Sequence, residues 1–439
     1  MAAPEQHEAA TRPKMEKHQD PDPIEYENSV YQKGLQYQRP PFTFKPLEWE
    51  ALAAERMSAE SRGYVTGNAG TGETARKNRE AFGRWSIVPR RLAPRPAGDG
   101  KGFPDLSVTG LRTCAGRPGG EQQGDRRLPF PIACAPVGVQ RIFNPDGEEA
   151  AAAAAAKARV PYIMSTASST SIEDVAKANG DGERWFQLYW PPNERQDITK
   201  SILDRAQKAG FSALFVTLDT YILGWRPSDM DNGYNPFLRS DQIGVAIGVT
   251  DPVFRATFKE KHGCEVEDDM GAAVAEWTRT VFPGMSHTWE DIRFLQEHWK
   301  GPIVLKGIQT VADAQQAVAA GVQGIVVSNH GGRQTDGGNS SLGILPRIAD
   351  AVGDKLDIFF DSGIRCGADI AKALALGADC CLIGRPYVYG LALGGEEGVA
   401  HVLKSMLGDL ELTLHLAGIH SVSPKDLNRS VLVKESDLF

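Results

Sequence analysis

Apolar residues in this chain follow two alternating arrangements. Over 203–220, 311–332 and 367–386 the layout is the same: an alanine-rich amphipathic helix, a glycine, a short link and an unbroken apolar run. Glycine suits the helix end because it adopts the left-handed conformation at little cost. A run that is apolar throughout, not alternating, marks a strand covered on both faces. Helix then buried strand, repeated, predicts a parallel sheet with helices outside. Eight such runs stand at 131–136, 161–165, 186–190, 213–218, 302–306, 324–328, 357–361 and 380–384. The expected fold is therefore α/β, a TIM (β/α)₈ barrel.

The flanking segments differ. Residues 1–45 are polar and rich in Pro, Glu and Gln, and read as an extended arm preceding a barrel domain over 46–439. Between Phe44 and Leu92 the spacing predicts helices, one run over 47–65 and another over 74–92 that ends before Pro89. The alanine run within 148–160 predicts the helix between the first two strands. After the fourth strand, residues 224–290 form an insertion far longer than an ordinary connection, expected to be a lid or an oligomer contact. Its first half is rich in Gly, Asn, Asp and Pro and reads as loop.

Composition narrows the function classes. A net charge of −8 argues against a nucleic-acid partner, which needs a basic surface. The chain has no apolar run long enough for a membrane helix and no apolar signal core near Met1. Six cysteines, none in a C-x-x-C pair, predict neither structural zinc nor a disulfide framework, and no metal site. A reducing, cytoplasmic setting is the expectation.

The chemistry gathers where the predicted strands end, the face on which such barrels carry their sites. Gln187 and Tyr189 end the third strand; Thr217 and Asp219 end the fourth, with Arg226 beyond. Lys306 ends the fifth; Ser328, His330 and Arg333 end the sixth; Asp361 and Arg365 follow the seventh, Gly384 and Arg385 the eighth. Charged groups directly after buried apolar runs are uncommon unless they are paired or functional. In Ser328–Gln334, Ser-Asn-His-Gly-Gly-Arg-Gln, an imidazole and a guanidinium share one glycine-rich loop.

These stretches, with 304–308, 186–189, 216–220, 361–378 and 383–387, resemble the FMN-dependent α-hydroxy-acid oxidising enzymes from about Tyr64 to the C-terminus. Within that family 224–229, 251–256 and 389–403 look most like the lactate 2-monooxygenase branch. The resemblance implies FMN as cofactor, an (S)-2-hydroxy acid such as L-lactate as substrate, O₂ as acceptor, and a homotetramer or larger homo-oligomer. His330 is the implied base, with an ordinary pKa near neutrality. Arg333 matches a carboxylate with its planar fork. The resemblance further implies Asp219 as partner of His330, Arg226 as second carboxylate-binding cation, and Tyr64 and Tyr189 as hydrogen-bonding groups on the substrate. Lys306 would sit beside the flavin pyrimidine ring. Pro136, Val137, Gly138, Ser165, Gln187, Thr217 and Ser328 would contact the flavin, Asp361 the ribityl chain, and Gly363, Arg365, Gly384 and Arg385 the phosphate.

Four positions depart from common family patterns. Pro136-Val137-Gly138 replaces Pro-Thr-Ala, Ala167 stands where some members carry Trp, Thr335 replaces Leu, and Asp361-Ser362-Gly363 replaces Asp-Gly-Gly. They bear on oxygen access and substrate size. The competing readings are a 2-hydroxy-acid oxidase releasing keto acid and H₂O₂, a dehydrogenase passing electrons to a quinone or carrier protein, and a barrel that binds ligand without catalysis.

Overall fold

A computed structural model describes residues 23–93, 102–109, 112, 127–238 and 243–438. Its strands are β1 (Trp85–Ile87), β2 (Ile132–Cys134), β3 (Tyr162–Ser165), β4 (Arg184–Tyr189), β5 (Leu214–Thr217), β6 (Ile303–Ile308), β7 (Gly324–Val327), β8 (Asp357–Phe360), β9 (Cys380–Ile383) and β10 (Leu432–Lys434). β2 to β9 pair in sequence order, all parallel, and β9 returns to β2 to close a barrel. All eight expected barrel strands are present, and helices cover the outside as the (β/α)₈ reading requires.

Two hydrophobic cores hold this arrangement. One fills the barrel, where the Trp185 and Phe215 rings stack 5.2 Å apart and Phe359 packs edge-on against both. The other lies between strands and helices and takes in most of the apolar chain. The alanine-rich helix Gly147–Lys157 belongs to the second: Ala151, Ala152, Ala154 and Ala155 are buried, and the small side chains let the C-terminal helix pack close.

Several expectations need correction. The arm read as extended contains a helix over Pro23–Gly34; residues 1–22 lie outside the described part. It docks on the C-terminal helix through buried Ile24, whose N–H donates to Glu411 (3.0 Å), and through Tyr26, whose hydroxyl meets His401 Nδ1 at 2.6 Å. A few anchors on a mostly polar segment leave little periodic signal. The run over 47–65 is two helices, Trp49–Arg56 and Ala59–Thr66, the second capped by Ser58. The run over 74–92 is helical only through Glu73–Phe82; beyond Gly83 it forms β1, which pairs antiparallel with β10. That pairing spans most of the chain, so no local pattern announces it.

The insertion is more helical than its composition predicts. Its first part holds a short helix, Pro227–Asp231, and a turn at Pro236–Leu238. Its later part holds Ala246–Val249, Pro252–His262 and Met270–Val281, packed around fully buried Phe254, Phe258 and Trp277. Asp251 caps the middle helix by accepting from the N–H groups of Val253 and Phe254. Five of the six cysteines are described; all are free thiols, and Cys114 lies outside the described residues. Among the described residues no helix is long and apolar enough to cross a membrane, and no cluster of His, Cys, Asp and Glu could hold a metal ion.

The C-terminal helical segment Arg385–Ala417 is broken at Gly394 and Gly395, and Gly390 and Gly398 touch across the break. A Cβ at Gly390 would lie 2.5 Å from the Gly398 carbonyl oxygen, with backbone that cannot yield. Gly390→Ala is expected to destabilise the fold by about 1–3 kcal/mol, as overpacking does. An unchanged midpoint in chemical denaturation would show that the two segments separate freely.

Candidate functional site

Strand alternation decides which side chains reach the barrel mouth. Ala133, Ile163, Trp185, Phe215, Val304, Val326, Phe359 and Leu382 belong to the core inside the barrel. Side chains alternate along a strand, so residues two further on also point inward. Those are Ala135, Ser165, Gln187, Thr217, Lys306, Ser328, Asp361 and Gly384. One more step brings Val137, Ala167, Tyr189, Asp219, His330 and Gly363. An apolar plug, a buried polar layer and a reactive rim thus follow from one period of two.

The polar layer is hydrogen-bonded around the ring. Ser165 donates to Gln187 Oε1, and Gln187 Nε2 donates to Thr217, both at 3.0 Å. Lys306 Nζ donates to Ser328 Oγ at 3.0 Å and lies 3.3 Å from Asp361 Oδ2. Burial alone would lower the Lys306 pKa, but Asp361 and Asp219 outweigh it and hold the ammonium charged. Gly307, just beyond, has φ of +103°, and a Cβ there would lie 2.9 Å from Asp219. Only glycine lets β6 pass so near that carboxylate.

The rim pairs an acid with a base. His330 Nδ1 lies 2.9 Å from Asp219 Oδ1 and 3.1 Å from Thr220 Oγ1, and Thr220 also donates to Asp219 Oδ1 at 2.8 Å. Burial would raise the Asp219 pKa, yet His330, Lys306 and the Thr220 hydroxyl bring it down to about 2. Asp219 is therefore ionised and Nδ1 carries the proton, leaving Nε2 for the cavity that the ring lines. For His330 burial dominates; Asp219 opposes it, Lys306 and Arg226 reinforce it, and the pKa falls below the ordinary value.

The loop holding His330 is strained. His330, Gly331 and Gly332 all have positive φ, at +57°, +67° and +76°. A non-glycine residue there persists only when its surroundings fix it. Ser328 Oγ accepts the His330 N–H, and Ser362 Oγ accepts that of Gly331, each at 3.0 Å. Asn329 and Asn78 exchange reciprocal side-chain hydrogen bonds of 2.8 and 2.7 Å, tying the loop to the helix Glu73–Phe82.

Cations ring the same space. Arg333 Nη1 donates to the carbonyls of Tyr64 (2.6 Å) and Gly67 (2.7 Å), and its guanidinium lies 4.9 Å from the Tyr64 ring centre. Arg226 donates to the Arg333 carbonyl and to Gln334. Arg385 donates to the carbonyls of Val65, Gly67 and Gly331 and to Asn68. Among the described residues none of Arg226, Arg333, Arg365 and Arg385 forms an ion pair. Burial, with Arg226 beside it, pulls the Arg333 pKa down to about 9, and burial with Arg385 and Arg79 lowers that of Arg365. Such a set is completed by anions.

The cavity encloses about 1000 Å³, counting its open mouth. Tyr64, Pro136, Val137, Gly138, Tyr189, Arg226, Lys306, His330, Arg333, Asp361, Gly363, Arg365, Gly384 and Arg385 all line it. Ser165, Gln187, Thr217 and Ser328 do not; they are buried in the layer beneath. Asp219 stands behind His330. Ala135, Pro136 and Val137 line it together with Lys306, and so do Gly363, Arg365, Gly384 and Arg385. A ring system with an anionic tail suits a cavity that offers both an apolar wall and unpaired cations. Ala167 lines the cavity, but Phe237 and Val139 back the space it leaves, and a Cβ on Gly138 would meet the Ala167 carbonyl at 2.5 Å. Thr335 is not a lining residue; its carbonyl accepts from Thr74 at 2.9 Å. Sequence reasoning gave no role to Asn78, Thr220, Asn329, Gln334 or Ser362. A signal existed for Asn78, a poor helix former inside a helix.

Comparison with known proteins accords with this geometry. A family model described as FMN-dependent dehydrogenase matches residues 53–434. An FMN-dependent alpha-hydroxy acid dehydrogenase of Schizosaccharomyces pombe is 62% identical, covering 94% of this chain and 97% of its own length. An L-lactate oxidase of Lysinibacillus sphaericus is 39% identical, covering 91% and 95%. A crystal structure of mandelate oxidase with (S)-4-hydroxymandelic acid superposes with a TM-score of 0.72 at 33% identity, covering 89% and 99%.

The electrostatics predict the titration of His330. Its imidazole signal in NMR should have a midpoint below the unperturbed value of about 6.5. Asp219→Asn should lower it further, because Asp219 is the group that favours the charged ring. The unfolded chain then binds the proton first as pH falls, so this group costs stability below that pH. A midpoint above 6.5 in the wild type would mean that the carboxylate outweighs burial.

Proposed function

Because this chain belongs to the FMN-dependent dehydrogenase family and is an FMN-dependent α-hydroxy-acid oxidoreductase, we propose that it oxidises a small (S)-2-hydroxy acid, foremost L-lactate, with O₂ as acceptor. The observation that carries the reading is the pair of guanidiniums, buried Arg226 and half-buried Arg333, beside a neutral imidazole and without an ion-paired carboxylate among the described residues. A 2-hydroxy carboxylate supplies what each lacks: an anion for the cations and an adjacent hydroxyl proton for the base.

FMN, when bound, takes two electrons from the substrate and hands them on. Arg226 and Arg333 bind the carboxylate, and Tyr64 and Tyr189 orient it and the hydroxyl. Nε2 of His330 accepts the hydroxyl proton, and Asp219 stabilises the imidazolium that results. Lys306 would offer the flavin ring its positive charge, with Pro136, Val137, Gly138, Ser165, Gln187, Thr217 and Ser328 as the residues that would hold the ring. Asp361 would hold the ribityl hydroxyls, and Gly363, Arg365, Gly384 and Arg385 the phosphate.

The fate of the keto acid separates two reactions. In the first, the insertion over 224–290 acts as a cover, with Phe237 and Phe282 walling the cavity, and pyruvate stays beside the hydrogen peroxide formed with it. Together they give acetate, CO₂ and water, the lactate 2-monooxygenase outcome. In the second, pyruvate leaves first and pyruvate plus H₂O₂ are the products; the relative named L-lactate oxidase favours it. The same reading makes the protein a cytoplasmic homotetramer or larger homo-oligomer with residues 1–45 as an arm outside the barrel domain.

The test is anaerobic addition of (S)-lactate to the flavin-loaded protein, then air. Bleaching of the flavin absorbance is expected, with acetate and CO₂ after aeration. Pyruvate with an equal amount of H₂O₂ would select the second reaction. A yellow protein that no 2-hydroxy acid bleaches would sink the proposal. Asp219→Asn should slow bleaching by about 100-fold, the range for losing support of a general base.

A further inference from the structure

Gln334, the last residue of the glycine-rich signature, does not line the cavity, yet all four hydrogen-bonding positions of its amide are used. Its Oε1 accepts from the Gly224 main chain at 3.1 Å and from Arg226 Nη2 at 2.9 Å. Its Nε2 donates to the carbonyls of Asp219 (2.8 Å) and Ile222 (2.9 Å). The partners fix which end is oxygen, since the reverse would set donors against donors. One side chain after β7 thus fastens the loop after β5 at four points.

Two of those points are the main chain of Asp219 and the guanidinium of Arg226. Arg226 is 5% exposed, and its acceptors are an amide oxygen and the Arg333 carbonyl, both neutral. Asp229, one turn further on, feels the charge of both Arg226 and Arg333 but makes no hydrogen-bonded ion pair with Arg226 among the described residues, so the Arg226 charge is not paired by a direct carboxylate contact. A neutral acceptor aims a guanidinium without cancelling its charge; a carboxylate in its place would do both. We propose that Gln334 is a positioning residue that sets affinity for the substrate carboxylate, by aiming Arg226 with its charge uncancelled while it holds Asp219 in register with His330. This rests on the function proposed above.

The experiment compares Gln334→Glu with Gln334→Leu in the FMN-loaded enzyme. It reads the KM and kcat for (S)-lactate, and the Kd for propionate, a carboxylate with no hydroxyl to oxidise, from its perturbation of the flavin spectrum. Gln334→Glu keeps the size and two of the four bonds but pairs with Arg226. It should raise KM and the propionate Kd by about tenfold or more, as expected for losing a buried charge partner. Gln334→Leu should raise them less. A packing role alone predicts the reverse order, and either that order or unchanged constants would overturn the proposal. So would failure of both variants to fold and hold FMN, which would make Gln334 a folding residue. The wild type separates this failure from that of the functional reading: if it binds propionate but no 2-hydroxy acid bleaches it, only the reaction is wrong.

Discussion

The site depends on holding positive charge largely out of water without a directly ion-paired carboxylate. A guanidinium removed from water ordinarily needs an acid beside it. Here Arg226, Arg333 and Arg385 are held by main-chain carbonyls and side-chain amides instead. Those acceptors satisfy the N–H groups and fix direction, but leave the charge to be met by a ligand. The accepting carbonyls come from segments far apart in sequence, Tyr64–Gly67 and Gly331–Arg333. Building the cationic rim therefore also joins the N-terminal helices to the barrel mouth.

The barrel makes such an arrangement attainable. Its inward residues pass from Trp185 and Phe215 to Gln187 and Thr217, then to Tyr189 and Asp219, as each strand climbs. The middle layer is satisfied internally, so it needs no water and gives the rim a rigid floor. Lys306 belongs to that floor and stays charged only because Asp361 and Asp219 flank it. A loop with three consecutive positive φ values can stand above it because Ser328, Ser362 and the Asn78–Asn329 pair hold its backbone.

Much of this was legible in the sequence. Continuous apolar runs behind glycine-capped helices gave all eight barrel strands, since covered strands carry an unmistakable composition. The polar residues at their ends followed from position alone, and the string Ser328–Gln334 carried the family resemblance. What stayed hidden depends on contacts distant in sequence. β1 pairs with β10 across the chain, and Pro23–Gly34 is helical because Glu411 and His401 receive it. Gln334 lay in plain view, but its purpose shows only when the Asp219–Arg226 loop is folded against it. The longer helices of the insertion lie in its later part, where no element is predicted; the turn-rich first part holds only short helical pieces.

The cations and the base are not independent. Arg226 and Lys306 both disfavour the protonated His330, while Asp219 favours it. Before a carboxylate arrives, burial, reinforced by Lys306 and Arg226, keeps the ring neutral and able to accept. In the proposed reaction the substrate carboxylate settles on Arg226 and Arg333 and cancels part of that charge. The penalty on the imidazolium falls just as the hydroxyl proton comes within reach of Nε2. The base therefore gains proton affinity through the binding that delivers the proton, and Asp219, ionised throughout, holds the imidazolium once it has formed. A cavity with its cations already neutralised by protein carboxylates would lose this coupling, because the substrate carboxylate would find no unpaired cation to settle on.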